Sequence, residues 1–322
     1  MDVGLITDSL GHRPLEDVLD LARDLGLASV EIATGNWSEA PHVDLTELVT
    51  SEAARQTLAG LVADRGLRIS ALNANGNQLH PTDGERQLGV LRDTIVVAGR
   101  LGVPTVVCMS GLPAGAPGDT MPNWVTSSWP PENLAIERYQ WDDVAIPAWR
   151  KLAAFARDHG VRLAIEACFD QLVFNVSTLL RLVDAAGPDV VGANLDPSHL
   201  MAMGADIPSV VRALGAHIFH VHAKDTRLDP VVVSRDGLPT SHPMERAHLR
   251  SWNYVTLGLG HPGGERFWAD FVYALRAVGY DGPLNIEHED VLMNSAEGVT
   301  RAARLLRRVV PTDAPDWRPA DV

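Results

Sequence analysis

The chain has 322 residues, with 27 Lys+Arg against 41 Asp+Glu and a formal net charge of −14. A nucleic-acid binder needs a basic footprint to neutralise phosphates, so this balance argues against DNA or RNA as a partner. No run of about 18 apolar residues is present to span a membrane. Cys108 and Cys168 are the only cysteines, too few for a disulfide framework in a chain this long. The opening MDVGLITDSLGH lacks a basic leader followed by an apolar stretch. A cytoplasmic protein is the expectation.

In chain order, VGLIT (3–7) reads as a strand, and 14–25 as a helix with Leu15, Val18, Leu19 and Ala22 on one face. ASVEIA (28–33) is the second strand, followed by a helix over 45–65 that Gly66 stops. LRISALNA (67–74) is a strand, 85–101 a helix, and PTVVCMS (104–110) a strand. After an interruption, 141–159 is helical and VRLAIE (161–166) is the fifth strand. Helix 177–186, strand VVGANLD (190–196), helix 207–214 and strand HIFHVHA (217–223) follow. A second interruption precedes helix 265–278, strand PLNIE (283–287) and helix 295–309. Eight strand-then-helix units with near-continuous apolar strands predict an α/β fold, a (β/α)₈ TIM barrel spanning 1–310 as one domain. An open doubly wound sheet is the competitor, but TDSLGHRP after the first strand carries no GxGxxG. The acidic, proline-bearing segment 311–322 reads as a C-terminal tail.

Long loops follow strands four and seven, over 111–141 and 224–264. The first holds five prolines with Trp124, Trp129 and Trp141; the second holds Trp252, Tyr254, His242, His248 and His261. Structureless loops of this length are uncommon unless they bind something or are disordered, and the tryptophans argue against disorder. A substrate lid and a contact between copies of the chain fit equally, and a homo-oligomer is expected.

Strands five to eight all end on a metal-ligand type: Glu166 in LAIEACFD, Asp196 in VVGANLDPSHL, His222 in HIFHVHAKD and Glu287 in GPLNIEHED. In a TIM barrel the C-terminal strand ends face one mouth. Each residue alone could cap its own strand. Converging together, three carboxylates could not all stay ionised without a cation. Oxygen donors with one imidazole suit manganese, magnesium or cobalt, with zinc also possible. Period two places His220, His222 and Lys224 on one face, with His220 a layer deeper. Lys224 is a candidate for stabilising an oxyanion or forming an ion pair, and the turn at 196–199 brings His199 near Asp196.

These stretches resemble the sugar phosphate isomerase/epimerase superfamily, the xylose-isomerase-like TIM barrels that include ketose 3-epimerases and inosose dehydratase. The resemblance covers nearly the whole chain and is most specific at IE (165–166), DxxH (196–199), HxKD (222–225) and IEHED (286–290). It implies that Glu166, Asp196, His222 and Glu287 hold one divalent metal ion, manganese first. Glu166 and Glu287 would move protons on opposite faces of the substrate, and His199 would contact substrate hydroxyls. Glu31 in VEIA and His80 in NQLHP would line the pocket, with Lys224, Arg227, Trp252 and His261 from the second loop as further substrate contacts. Where ketose epimerases carry another Glu after the first ligand, this chain has Asp170 and Gln171, and the expected Arg is matched loosely by Arg227. SWNYVTLGLGH resembles the metal-binding subunit of C-glycoside deglycosidases, which work with a small partner subunit.

Chelation of a carbonyl and its neighbouring hydroxyl stabilises an enediolate, so a carboxylate can serve as base. The expected activity is therefore a metal-dependent isomerase or epimerase of a small carbohydrate. The alternatives are a lyase eliminating the aglycone of a 3-keto-glycoside and a non-catalytic metal-binding subunit. Endonuclease IV shares the fold, but the net charge argues against a DNA substrate.

Overall fold

The computed structural model describes residues 1–313, 316 and 317. Eight parallel strands form a closed barrel: β1 (Asp2–Ile6), β2 (Ser29–Ala33), β3 (Arg68–Asn73), β4 (Thr105–Met109), β5 (Arg162–Glu166), β6 (Val191–Leu195) and β7 (Ile218–Ala223), then β10 (Pro283–Ile286). β10 pairs with both β7 and β1, which closes the ring. Each of the eight strands ends within one residue of its sequence expectation. Such strands are legible because both faces are covered and nearly every position must be apolar. The main core lies between the strands and the outer helices. Helix Leu15–Asp24, for example, buries Leu15, Val18, Leu19 and Ala22, one stripe at helical spacing.

Two β-bulges shape the barrel interior. Val30 pairs with Ile69 and Glu31 with Ala71, leaving Ser70 as an extra residue. Ala193 pairs with Ile218 and Asn194 with His220, leaving Phe219 extra. Bulges re-aim side chains near functional sites. Here Phe219 joins Ala71, Val107 and Ala164 in an apolar plug within the barrel, and the absence of a side chain at Gly192 leaves room for its ring. Above that plug the interior turns polar, with Glu31, Asn73, His220, His222 and Asn285 all buried. Gly4 of β1 admits this layer, since a Cβ there would collide with the Asn285 amide.

The helical expectations need three corrections. The segment 45–65 is two helices, Leu45–Thr50 and Glu52–Ala63. Ser51 between them is extended (φ −111°, ψ 116°), and its side chain accepts from the Ala54 N–H to start the second. The helix expected over 141–159 begins earlier, at Glu132. It passes through a π-helical stretch, Tyr139–Ala145, before Ile146–Asp158. The wider turn precedes Pro147, which has no N–H to donate. The stretch after Asp196 is a helix, Pro197–Ala202, rather than a turn.

Nor is 224–264 structureless. β8 (Asp225–Leu228) and β9 (Trp252–Val255) form an antiparallel hairpin, with helix Pro230–Asp236 and a 3₁₀ segment, Met244–Leu249, between them. The tail expected over 311–322 lies in large part outside the described residues. Among the described residues no helix is long and apolar enough to cross a membrane.

Candidate metal centre and substrate cavity

Glu166 is the last residue of β5, and His222 is one residue from the end of β7. Asp196 follows β6 directly and caps helix Pro197–Ala202, its side chain accepting from the Ser198 N–H. Glu287 follows β10, held by a backbone bond from its N–H to the Ala223 carbonyl at 3.2 Å. One ligand atom from each of the four lies within 4.8 Å of the others. Parallel strands in one barrel end at similar heights, so side chains spread over 122 positions of chain meet by architecture. Glu166 and Glu287 reach into a cavity of about 410 Å³ that His199, Lys224, Tyr254, Trp37 and Asp8 also line.

The atoms are aimed as a cation would require. His222 Nε2 is committed to Glu31, 3.0 and 3.1 Å from its two oxygens. Its other nitrogen, Nδ1, is thereby left facing Glu287 Oε2 at 2.8 Å and Glu166 Oε2 at 3.2 Å. A carboxylate behind a ligating imidazole fixes ring orientation and raises basicity. Glu287 Oε2 and Asp196 Oδ2 are buried and accept no hydrogen bond of good geometry, although Lys224 Nζ and His199 Nε2 each stand 3.2 Å from Asp196 Oδ2. Two orphaned carboxylate oxygens converging with an imidazole nitrogen fit a divalent ion with three oxygen donors and one nitrogen.

The charges around the centre are tightly paired. Burial pushes the Glu287 carboxyl above its usual range, against the pull of Lys224 and His222. Burial also works against the charge of Asp196, but Lys224 and His199 outweigh it and draw that carboxyl down to about 2. Lys224 is 2% exposed. Burial alone would weaken its hold on a proton, yet Glu287, Glu289 and Asp196 keep it firmly an ammonium. Its Nζ lies 2.8 Å from Glu287 Oε1 and 3.0 Å from Glu289 Oε2. His199 joins three partners, Glu166 Oε1 at 3.0 Å through Nε2, and Tyr254 Oη at 2.7 Å and Cys168 Sγ at 3.4 Å through Nδ1. Burial disfavours its imidazolium, but Cys168, Tyr254 and Asp196 around it hold its pKa above the ordinary histidine value.

Residues 19–309 match the family described as xylose isomerase-like TIM barrel. The chain belongs to this family. It is 42% identical over 314 residues to the uncharacterised protein YfiH of Bacillus subtilis (strain 168), covering 96% of this chain and 99% of that protein. Among solved structures it is similar to the IOLI protein with a binding zinc atom, at a TM-score of 0.68 and 20% identity over 96% of this chain and 98% of that one. L-ribulose 3-epimerase is similar at a TM-score of 0.64 and 18% identity, over 96% and 94% of the two chains. At these identities the likeness to the solved structures is one of fold.

In this xylose isomerase-like barrel the other expected substrate contacts are dispersed. Glu31 lies beneath the cavity, fully buried at the bulge of β2 and β3. It accepts from Asn73, His220, His222 and Asn285. It also forms a second potential ligand group with His220 and His222, but those hydrogen bonds already engage both carboxylate oxygens. His80 lines a different cavity, beside Leu88, Arg92 and Trp149, and its Nδ1 accepts from the N–H groups of Thr82 and Asp83. Arg227 is exposed and reaches the Leu259 carbonyl. Trp252 is buried against Phe169, stacked at 5.1 Å, next to Tyr254. His261 stacks on Phe267 at 4.0 Å. Only Lys224 of the six lines the cavity.

Sequence reasoning did not assign several cavity groups. Asn75 and Asn194 donate to Glu166 Oε2 at 3.2 and 2.7 Å. Trp37 stands 55% exposed in the cavity wall. It follows Asn36, whose positive φ of 67° turns the chain while its amide bonds the Ala74 and Gln87 carbonyls. Tyr254 carried a signal, as the polar aromatic of SWNYVTLGLGH, but its contact with His199 depends on a hairpin the sequence did not reveal.

Proposed function

We propose that this chain is a divalent-metal-dependent isomerase or epimerase of a small carbohydrate, working by proton abstraction next to a carbonyl. The supporting observation is the convergence of Glu166, Asp196, His222 and Glu287 at the base of a cavity large enough for a sugar. Those four would hold the ion, manganese first and zinc, magnesium or cobalt as alternatives. When bound it supplies a Lewis acid for the substrate oxygens. The zinc of the IOLI structure and the activity named for L-ribulose 3-epimerase are in keeping with this reading.

The chain supplies the proton-handling groups. Glu166 is held by Asn75, Asn194 and His199, which fix its carboxylate as a positioned base. Glu287 is held by Lys224 on one oxygen, leaving the other directed at the centre. Lys224 and His199 are the donors available to substrate oxygens from the cavity wall. The acidic lining disfavours a phosphorylated substrate and suits neutral hydroxyls.

A second reading is elimination of an aglycone from a 3-keto-glycoside by the same base. It is favoured by Trp37, an exposed aromatic face at the cavity wall where a ring could stack. Solvent-deuterium incorporation separates the two. The manganese-loaded protein is incubated in D₂O with a panel of ketoses and inosose-type ketones, and with an aryl 3-keto-glucoside. Deuterium entering a ketose C–H supports the epimerase. Release of the aryl group supports the lyase. Neither event with metal bound defeats both and favours the subunit role.

A further inference from the structure

The four candidate ligands come from β5, β6, β7 and β10 or from the residue just beyond them. In the closed ring β1 stands opposite β5, and β2 opposite β6. That far side of the mouth brings Asp8, Ser9, Trp37 and Ser38 to the cavity wall, and none of them holds the ion or handles the proton in the reading above. Trp37 is exposed there by construction. Its N–H bonds the Asn75 carbonyl at 3.0 Å, and the Asn36 amide before it is pinned to two carbonyls. Gly76 leaves the space this needs, since a Cβ there would come within 2.8 Å of the Asn36 side chain. Ser38 Oγ accepts from the Ala40 N–H at 2.9 Å, which leaves its hydroxyl proton to donate. Asp8 is half-buried, and its Oδ1 is buried without a donor. Burial pushes its carboxyl above the ordinary range, against the pull of Ser38 and His42. His42 turns its Nε2 to the Arg13 carbonyl at 3.0 Å, and among the described residues no basic side chain forms an ion pair with Asp8.

We propose that Trp37, Asp8 and Ser38 form a subsite for a neutral pyranose ring that is not the reacting one: the ring lays its C–H face on the indole and donates hydroxyl protons to Asp8. The substrate is then a glycoside rather than a free monosaccharide, with its carbonyl-bearing residue at the metal centre. That assignment of the reacting residue rests on the function proposed above; the binding of the second ring does not. The choice of ligand follows from what each class would leave unanswered. An aromatic aglycone would cover the indole but bring no donor, so the Asp8 carboxylate would be desolvated without a partner. A phosphate would meet Asp8, Glu287 and Glu289 in one cavity, where Lys224 is already engaged by both glutamates. An open-chain polyol offers hydroxyls but no rigid apolar face. A pyranose offers both, apolar C–H groups on its face and hydroxyls around its edge, to an aromatic plane flanked by a carboxylate and a hydroxyl.

The test separates binding from turnover. Saturation-transfer NMR on the metal-free full chain uses methyl α- and β-glucopyranosides, cellobiose and maltose as neutral probes, with phenol as the aryl probe and glucosamine as the cationic one. The expected result is transfer to the ring C–H protons of a neutral glycoside. Titration followed by the same signals should show binding weakened about tenfold by Trp37→Ala, through the lost stacking face, and about tenfold by Asp8→Asn, which keeps the shape and removes the charge from the hydrogen bonds. Trp37→Phe, which keeps an aromatic face, should retain most of the affinity. No transfer to any neutral glycoside overturns the proposal, as does binding unchanged in Trp37→Ala and Asp8→Asn, or a preference for phenol or glucosamine over the glycosides. On a substrate found by deuterium exchange, both variants should raise KM about tenfold with kcat little changed. Glycoside binding without deuterium exchange in the manganese-loaded protein defeats the functional reading and leaves the subsite standing, whereas turnover of a free ketose by a protein that binds no glycoside defeats the subsite alone.

Discussion

Glu31→Gln is the most informative single substitution, because it preserves size while changing what lies behind the metal centre. The carboxylate receives Asn73 Nδ2 at 2.7 Å and His222 Nε2 at 3.1 Å on Oε1, and His220, His222 and Asn285 on Oε2 at 2.8, 3.0 and 3.0 Å. Burial disfavours its charge, but His222 and His220 outweigh burial and hold it ionised. A glutamine offers one acceptor oxygen. The least costly rotamer places that oxygen at the Oε2 position and sets its NH₂ against the Asn73 amide, donor facing donor. One charge-assisted bond is lost, about 1.5–3 kcal/mol, and an orphaned buried donor adds about 1–3 kcal/mol. The expected loss of stability is therefore about 3–5 kcal/mol. His222 also loses its carboxylate support, which should weaken metal binding by about 10–100-fold. Urea unfolding of the metal-free protein gives the first quantity and calorimetric titration with Mn²⁺ the second. A variant that unfolds at the wild-type midpoint and binds Mn²⁺ with wild-type affinity would refute the account of Glu31 as the support of His222.

Other substitutions test the remaining parts. Glu166→Gln and Glu287→Gln should each lower deuterium exchange by about 10²–10⁴-fold while the circular dichroism spectrum is unchanged; normal turnover in either removes it from the proton-transfer role. Asp225→Ala strips the acceptor from four backbone N–H groups and an indole, so it should cost about 2–5 kcal/mol and speed amide exchange across 225–264, with the barrel strands unaffected; uniform exchange rates would show that Asp225 does not anchor the hairpin. Metal affinity should fall as the pH is lowered. Burial disfavours a charged His222, yet Glu31 and Glu287 outweigh it and hold its pKa well above the ordinary value. A proton therefore competes with the ion across the neutral range, at about tenfold in affinity per pH unit. Titrations between pH 6 and 8 that gave a flat affinity would contradict this.

The barrel was legible because its strands obey a local rule: with both faces covered, runs such as VVGANL and HIFHVH must be apolar and short. The convergence of Glu166, Asp196, His222 and Glu287 was legible for a topological reason, since parallel closure aligns strand ends whatever their separation in sequence. Glu31 was placed on the wrong side of the problem. Its partners His220 and Asn285 stand 189 and 254 residues away, on strands not adjacent to β2, and only the bulges that re-aim the interior determine what it faces. The helix after Asp196 did carry its signal, an N-cap acid with proline at the first helical position, but six residues are too few to show periodicity. The hairpin strands DTRL and WNYV are four residues each, and they are separated by 23 others, so no local turn chemistry joins them.

Those two strands bear on why acids follow the apolar runs at 222–225 and 286–290. In each tetrapeptide the residues divide their labour by position along the chain. His222 and Glu287 are the first residues to emerge into the barrel mouth, so they face the centre. Lys224 and Glu289, two positions on, meet each other at 3.0 Å above it. Asp225 and Asp290 come last, beyond the sheet, and both bind the same inserted segment, one on each side of Leu257. The insertion is thus fastened to the two strands that also carry ligands. Any movement of the hairpin must break hydrogen bonds to aspartates three residues from His222 and from Glu287, and must pull Tyr254 from His199. A lid hinged in this way cannot open without disturbing the centre, which makes 224–264 a fixed wall of the cavity. Substrate entry is then left to the side bounded by Trp37, Ser38 and Asp8. Accordingly, Trp37→Ala should change KM far more than Tyr254→Phe does, and equal KM effects in the two variants would show that the wall moves.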